Sequence, residues 1–241
     1  MNHIFNEVCF KTMERDELLD NIDLILTSPP NKNLKKIDQC YINWSIDLFK
    51  SFDKILKKNS CILYNLNYSK DPMFLFKLIT EIVENTNFTV IDNIVIKNNS
   101  PIINNRSKNR LNKITDNIFV FCRKKEVKTF NTNKSVLSFS EKLDKPTSYS
   151  DIDDFIENPN ELILELLNRY GIKDGLVYDP FVDLGLTIKG AIKFGMNYVG
   201  SELDIKKIEK INSEIHQIKF VNEEYYVEVE TYDEDDDFWN V

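Results

Sequence analysis

The sequence is poor in the residues that build metal centres. It has four cysteines (Cys9, Cys40, Cys61 and Cys122) and two histidines (His3 and His216) in 241 residues. No two cysteines form a Cys-x-x-Cys pair, and the histidines stand at opposite ends of the chain, so no metal site is expected. Scattered cysteines in apolar or helical contexts read as buried free thiols of a reducing, intracellular compartment. No apolar run approaches the roughly 18–20 residues needed to span a bilayer, and the N-terminus lacks a signal-peptide pattern, so no membrane partner is expected. Net charge is -8, which argues against indiscriminate nucleic-acid binding.

What is present is ordinary in bulk and uneven in detail. Hydrophobic content of 42% and charged content of 29% suit a globular chain, long enough for one large domain with a full core or two small ones. Between Lys97 and Lys125 the basic residues Lys97, Arg106, Lys108, Arg110, Lys113, Arg123, Lys124 and Lys125 meet one acid, Asp116. The C-terminus reverses this with "YDEDDDFWNV", a run of acids.

Periodicity places strands at 4–10, 22–27, 60–66, 88–96, 116–124, 175–181 and 197–203, and helices at 14–20, 38–57, 72–85, 160–170, 186–194 and 204–217. The polar stretch 126–157 reads as a connection. Strands alternating with helices predict an α/β fold: a doubly wound, mostly parallel, Rossmann-like sheet. The expected organisation is one domain over 1–217, divided by an insert and linker at 97–157, followed by an acidic tail at 218–241. A solvated tail is its plain reading, and a partner-binding segment from Glu223 to Trp239 the alternative.

Three strand ends carry chemistry. The first is Thr27-Ser28-Pro29-Pro30, where two prolines end a buried strand because neither has an N–H for the ladder. The second is Asp179-Pro180-Phe181, and the third, about 20 residues later, is Ser201-Glu202-Leu203-Asp204. Each alone has an ordinary explanation: a turn, a helix start, a solvated carboxylate. Together, at the carboxyl ends of parallel strands, they point to one ligand site.

"LILTSPP" followed much later by "VYDPFVDLGLTIKGAIKFGMNYVGSELD" resembles the beta-class, permuted, S-adenosylmethionine-dependent amino-methyltransferases of DNA, over roughly 4–217. The resemblance implies a catalytic half at 1–96, a target-recognition insert and linker at 97–157, and a cofactor half at 158–217. It implies S-adenosyl-L-methionine as cofactor and DNA as partner, as in restriction–modification systems. Ser28, Pro29, Pro30 and Asn31 would form the catalytic segment. Asp179, Phe181, Gly185, Thr187, Glu202 and Asp204 would surround the cofactor, with Asp179 on the methionyl ammonium and Glu202 on the ribose hydroxyls. Arg106, Lys108, Arg110 and Lys113 would meet DNA. A flipped base would offer its exocyclic amine to Ser28 Oγ and the Pro29 carbonyl, which aim the nitrogen lone pair at the methyl group. Serine at the first position leans towards cytosine N4 over adenine N6.

Four positions depart from that pattern. Asn31 replaces the aromatic that stacks on the base, with Tyr41 a conceivable substitute. Asp183 and Leu184 replace a glycine and a small residue ahead of Gly185. Val8, with Glu7 beside it, stands where an acid takes the adenine amine, and "ENPNEL" lacks the family's lysine. The alternative implied is a catalytically impaired subunit that binds DNA or a partner methyltransferase, with a homodimer or heteromer as the assembly.

Overall fold

The computed structural model describes residues 1–30, 39–66, 72–102, 113–131 and 159–230, with the backbone alone at 72 and over 97–102, 113–115, 159–161 and 219–230. The elements in chain order are β1 (Asn2–Phe5), α1 (Cys9–Met13), β2 (Ile22–Thr27), α2 (Gln39–Ile55), β3 (Leu56–Leu66), α3 (Pro72–Asn85) and β4 (Phe88–Ile102). Then come β5 (Lys113–Arg123), α4 (Pro159–Tyr170), β6 (Leu176–Asp179), α5 (Leu186–Phe194), β7 (Asn197–Ser201) and α6 (Ile205–Glu230).

The seven strands form one sheet in the order β1-β7-β6-β2-β3-β5-β4. Among them β5 alone runs antiparallel, between β3 and β4. The chain winds outward one way from β6 through α5 to β7, and the other way from β2 through α2 to β3. β2 and β6 are adjacent. Their carboxyl ends are therefore the switch point of a doubly wound sheet, where a crevice opens. All six residues of β2 are buried, as a parallel strand covered on both faces requires. On the α2 face, Phe49 packs its ring against Phe52, Tyr64, Phe88 and Phe121.

Several boundaries differ from expectation. The strand expected over 4–10 stops at Phe5, and a helix forms over Cys9–Met13. Residues 14–20 hold only a three-residue 3-10 turn, Asp16–Leu18. Burial of Cys9, Thr12 and Met13, three and four apart, makes the helical period win over a short apolar run. The hairpin arms are longer than expected: β4 runs to Ile102 and β5 starts at Lys113, because cross-strand pairing continues past the apolar stretch. Cys40 is exposed rather than buried, whereas Cys9, Cys61 and Cys122 are buried, and burial pushes the Cys9 and Cys122 thiols up to about 11.

Contacts divide the chain into two units, 1–203 and 204–241. In the second, α6 continues to Glu230 rather than 217 and so includes the first part of the expected acidic tail. Residues 231–241 and the connection over 132–158 lie outside the described residues.

Candidate functional site

The backbone ladder between β2 and β6 pairs Leu24 with Val177 and Ile25 with Tyr178. Beyond that point both strands run into prolines, Pro29 on one and Pro180 on the other, which cannot donate to a ladder. Side chains take over. Thr27 Oγ1 donates to Asp179 Oδ1 at 2.9 Å, and Thr187 Oγ1, from the first turn of α5, donates to the Leu26 carbonyl at 3.4 Å. Both bonds are buried. Ser28 follows directly and is exposed, Pro29 is buried beneath it, and Pro30 is exposed. An exposed serine thus stands one residue from the β2–β6 link.

Asp179 is itself buried. Its Oδ1 also accepts the Phe181 N–H at 3.1 Å. Burial pushes its carboxyl up to about 6, against the pull of the Phe181 amide, Thr187 and Thr27 and with the push of the Asp183 charge. None of the described residues brings it a cation.

The loop that follows is shaped by two residues with positive φ. Asp183 has φ 48 and Gly185, the N-cap of α5, has φ 72. Aspartate is one of the few non-glycine residues that visit the left-handed region, so Asp183 preserves a backbone course that a glycine would otherwise supply. Its N–H donates to Glu202 Oε2 at 3.0 Å, while Leu203 N–H donates to Glu202 Oε1 at 2.9 Å. Glu202 therefore sits against the Asp183 loop, at the end of β7. Leu184 is exposed, at 59%. Behind the loop, Gly200 leaves room for Val182: a Cβ there would meet Val182 Cγ2 at 2.3 Å.

Glu7 is the acid at the end of β1; Val8 beside it is exposed and caps α1 without a side-chain bond. Glu7 Oε1 accepts from Thr12 Oγ1 (3.1 Å) and from Arg15 Nε (3.0 Å), and Oε2 meets Lys11 Nζ at 3.2 Å. Burial opposes ionisation of Glu7, but the bonds from Arg15, Lys11 and Thr12 outweigh it and hold the carboxyl below its ordinary range.

Phe181 packs on Trp44 of α2, with centroids 5.7 Å apart. Trp44 in turn touches Tyr41 and Phe10, and Tyr41 touches Phe74. Burial pushes the Tyr41 hydroxyl up to about 12. The Tyr41 ring is thus part of this packed aromatic group.

Asp204 belongs to the second unit and caps α6 there, its Oδ1 accepting the Lys206 N–H at 2.9 Å. Asn31, Arg106, Lys108 and Arg110 lie outside the described residues, as does the side chain of Lys113. The backbone on either side of the basic segment is described: β4 and β5 go on pairing to Ile102 and Lys113, past the end of β3 at Leu66 opposite Asn117. β4 runs parallel to β3, so Ile102 at its end and Lys113 at the start of β5 stand towards the edge that carries Ser28 and Asp179, and residues 103–112 lie outside the described residues. Among the described residues no group of three or more His, Cys, Asp or Glu could hold a metal ion, and no helix is long and apolar enough to cross a membrane.

The structure brings Ser28, Pro29, Pro30, Asp179, Phe181, Gly185, Thr187 and Glu202 to one edge of the sheet. Thr27, Glu7 and Trp44 stand there too; the sequence reading noted Thr27 within its strand end without giving it a role, and passed over Trp44. The signal for Thr27 was available: it is the hydroxyl that ends the otherwise apolar run before Ser28. No curated protein matches this sequence. Among solved structures, M1.HpyAVI is 20% identical with a TM-score of 0.62, over 89% of this chain and 99% of that one. The PvuII cytosine-N4-specific DNA methyltransferase is 15% identical, with a TM-score of 0.62, over 84% of this chain and 82% of that one. TTHA0409 of Thermus thermophilus, solved with S-adenosyl-L-methionine, is 14% identical with a TM-score of 0.63, over 87% and 92%. These likenesses establish the fold. The DNA methylase family profile matches residues 22–213, which span both halves of the sheet and every strand end that meets at its switch point. The chain belongs to the DNA methylase family.

Proposed function

We propose that this protein methylates an exocyclic amine of a DNA base, with S-adenosyl-L-methionine as methyl donor. The observation that carries this reading is Asp179: a buried acid to which no described residue brings a cation, hydrogen-bonded to the residue before Ser28. A buried carboxylate is costly until a cation meets it, and the methionyl ammonium is a cation that would meet it. Asp179 would hold that ammonium, with Phe181, Gly185 and Thr187 around the chain. Glu202 would hold the ribose hydroxyls. Two backbone amides already use part of its carboxylate, but a carboxylate offers about four lone-pair directions, so acceptor capacity remains. Glu7 Oε2, which meets the exposed Lys11, would take the adenine amine. The donor set therefore fits the cofactor, which supplies an activated methyl group on sulfur.

The chain's own work is orientation. Ser28 Oγ and the Pro29 carbonyl accept the two N–H bonds of the target amine and draw its nitrogen towards tetrahedral geometry. Pro29 and Pro30 keep these acceptors fixed before the base arrives, so little reorganisation remains at transfer. Reaching them requires the base to leave the duplex. Ile102 and Lys113, which flank Arg106, Lys108 and Arg110 in the chain, stand towards this same edge, and those three residues would meet phosphates or base edges. Serine at position 28 favours cytosine N4. The reading as an impaired subunit draws on Asn31.

The test is transfer of labelled methyl from S-adenosyl-L-methionine to mixed-sequence duplex DNA, followed by nucleoside analysis. Label in N4-methylcytosine is expected. Ser28→Ala should abolish it while cofactor affinity stays near that of wild type. Label in N6-methyladenine would overturn the choice of base, and transfer by Ser28→Ala would overturn the catalytic assignment. No transfer by the wild type unless a second methyltransferase subunit is added would favour the impaired-subunit reading.

A further inference from the structure

The β2–β6 ladder ends at Ile25 and Tyr178, and the prolines at 29 and 180 remove the donors that could extend it. Among the described residues the register of the two strands goes no further than that pair. On the other flank of β6 the backbone does continue to bond, with Val182 N–H donating to Ser201 O at 3.2 Å. The loop after Asp179 is thus anchored by main chain to β7 but by side chain to β2. The shorter of the two side-chain ties is the Thr27 hydroxyl on Asp179, at 2.9 Å against 3.4 Å for Thr187 on Leu26. Both threonines are buried, so water cannot replace either bond.

We propose that Thr27 is a positioning residue, whose hydroxyl holds the Ser28-Pro29 segment in register with the Asp179 loop and so fixes the distance between amine acceptor and methyl donor. It touches neither substrate. It acts through Asp179, which would bind the ammonium, and through its own peptide link to Ser28. This inference rests on the proposed function for its consequence but not for its geometry. A misplacement of about 1 Å in a reacting pair costs on the order of 100-fold in rate while leaving binding contacts in place. Loss of the hydroxyl should therefore separate rate from affinity. Valine keeps the shape of threonine and removes the donor, and serine keeps the donor and removes the methyl group.

The experiment compares wild type, Thr27→Val and Thr27→Ser in two measurements. The first is hydrogen exchange of the free protein. Thr27→Val should speed exchange of the segment Leu24–Ser28 about 10-fold and leave β6 and the far side of β3 unchanged, since only the tie beyond the ladder is cut. Thr27→Ser should match wild type. The second, at about pH 8.5 so that Asp179 stays ionised in all three, is calorimetric affinity for S-adenosyl-L-methionine beside single-turnover methyl transfer. Thr27→Val should bind within about 3-fold of wild type and transfer at least about 10-fold more slowly, with Thr27→Ser restoring the rate. A wild type that transfers no methyl defeats the functional reading, while the exchange comparison still decides the tie. Unchanged exchange in Thr27→Val, or loss of rate and affinity in equal proportion, would overturn the positioning role.

Discussion

Two buried aspartates on adjacent strands are treated in opposite ways. Asp23 lies near the amino end of β2, where its Oδ2 accepts from Lys57 Nζ at 2.8 Å and from the Leu176 N–H at 2.8 Å. Asp179 lies at the carboxyl end of β6, where a hydroxyl and an amide reach it but no cation among the described residues does. Folding supplies the first acid with its counter-charge and leaves the second wanting one. A buried charge without a partner is tolerated only when something else is gained. The acid of the amino edge is thus matched within the fold, and under the proposed function the acid of the carboxyl edge would be matched by the cofactor's ammonium.

Breaking the complete pair should have the largest effect. Asp23→Ala leaves the buried Leu176 N–H without its acceptor and Lys57 without its counter-ion, and should cost about 3–4 kcal/mol in chemical unfolding. The corresponding change at the other edge should go the other way. The Asp179 carboxyl ionises at 3.8 when unfolded and at about 6 when folded. Between those values the unfolded chain holds fewer protons than the native one, so stability falls as pH rises from 3.8 to about 6 and stays lowered above. Asp179→Asn keeps an oxygen for Thr27 and escapes that loss. It should gain up to about 3 kcal/mol over wild type at about pH 8, and nothing in acid below both pKa values, as read from denaturant midpoints across pH.

Two smaller changes sharpen the contrast within the carboxyl edge. Gly200→Ala would bring a Cβ to 2.3 Å from Val182 Cγ2, and should destabilise by about 2 kcal/mol through overpacking beneath the loop. Asp183→Gly relieves a positive φ of 48 and removes a charge that raises the Asp179 carboxyl. It should stabilise by about 1 kcal/mol, seen as a melting temperature about 3 °C higher.

Much of this was legible in the sequence, for physical reasons. The continuous apolar run of β2 and the alternation of strands with helices announced a covered parallel sheet, and prolines at 29, 30 and 180 marked where β2 and β6 stop. Asp183 shows the limit of composition: a missing glycine reads as a lost loop, yet aspartate takes the same left-handed backbone. The tie from Thr27 to Asp179 was hidden because it joins residues 152 apart, and no local pattern encodes which strands become neighbours. The N-terminal helix escapes a sequence reading because its apolar positions fit either period until α1 packs. Whether Glu7 or its neighbour Val8 faces a ligand could not be read from spacing alone, because counting along the chain is uncertain by one residue; the fold shows Glu7 bonded to Thr12 and Arg15 and Val8 exposed.

The most direct measurement is a calorimetric titration of S-adenosyl-L-methionine into wild type and Asp179→Asn at about pH 8, where the wild-type acid is ionised. The account predicts saturable binding to the wild type and affinity at least about 100-fold weaker in the variant, even though the variant is the more stable protein. No binding heat with the wild type at millimolar cofactor, or equal affinity in the two proteins, would contradict it.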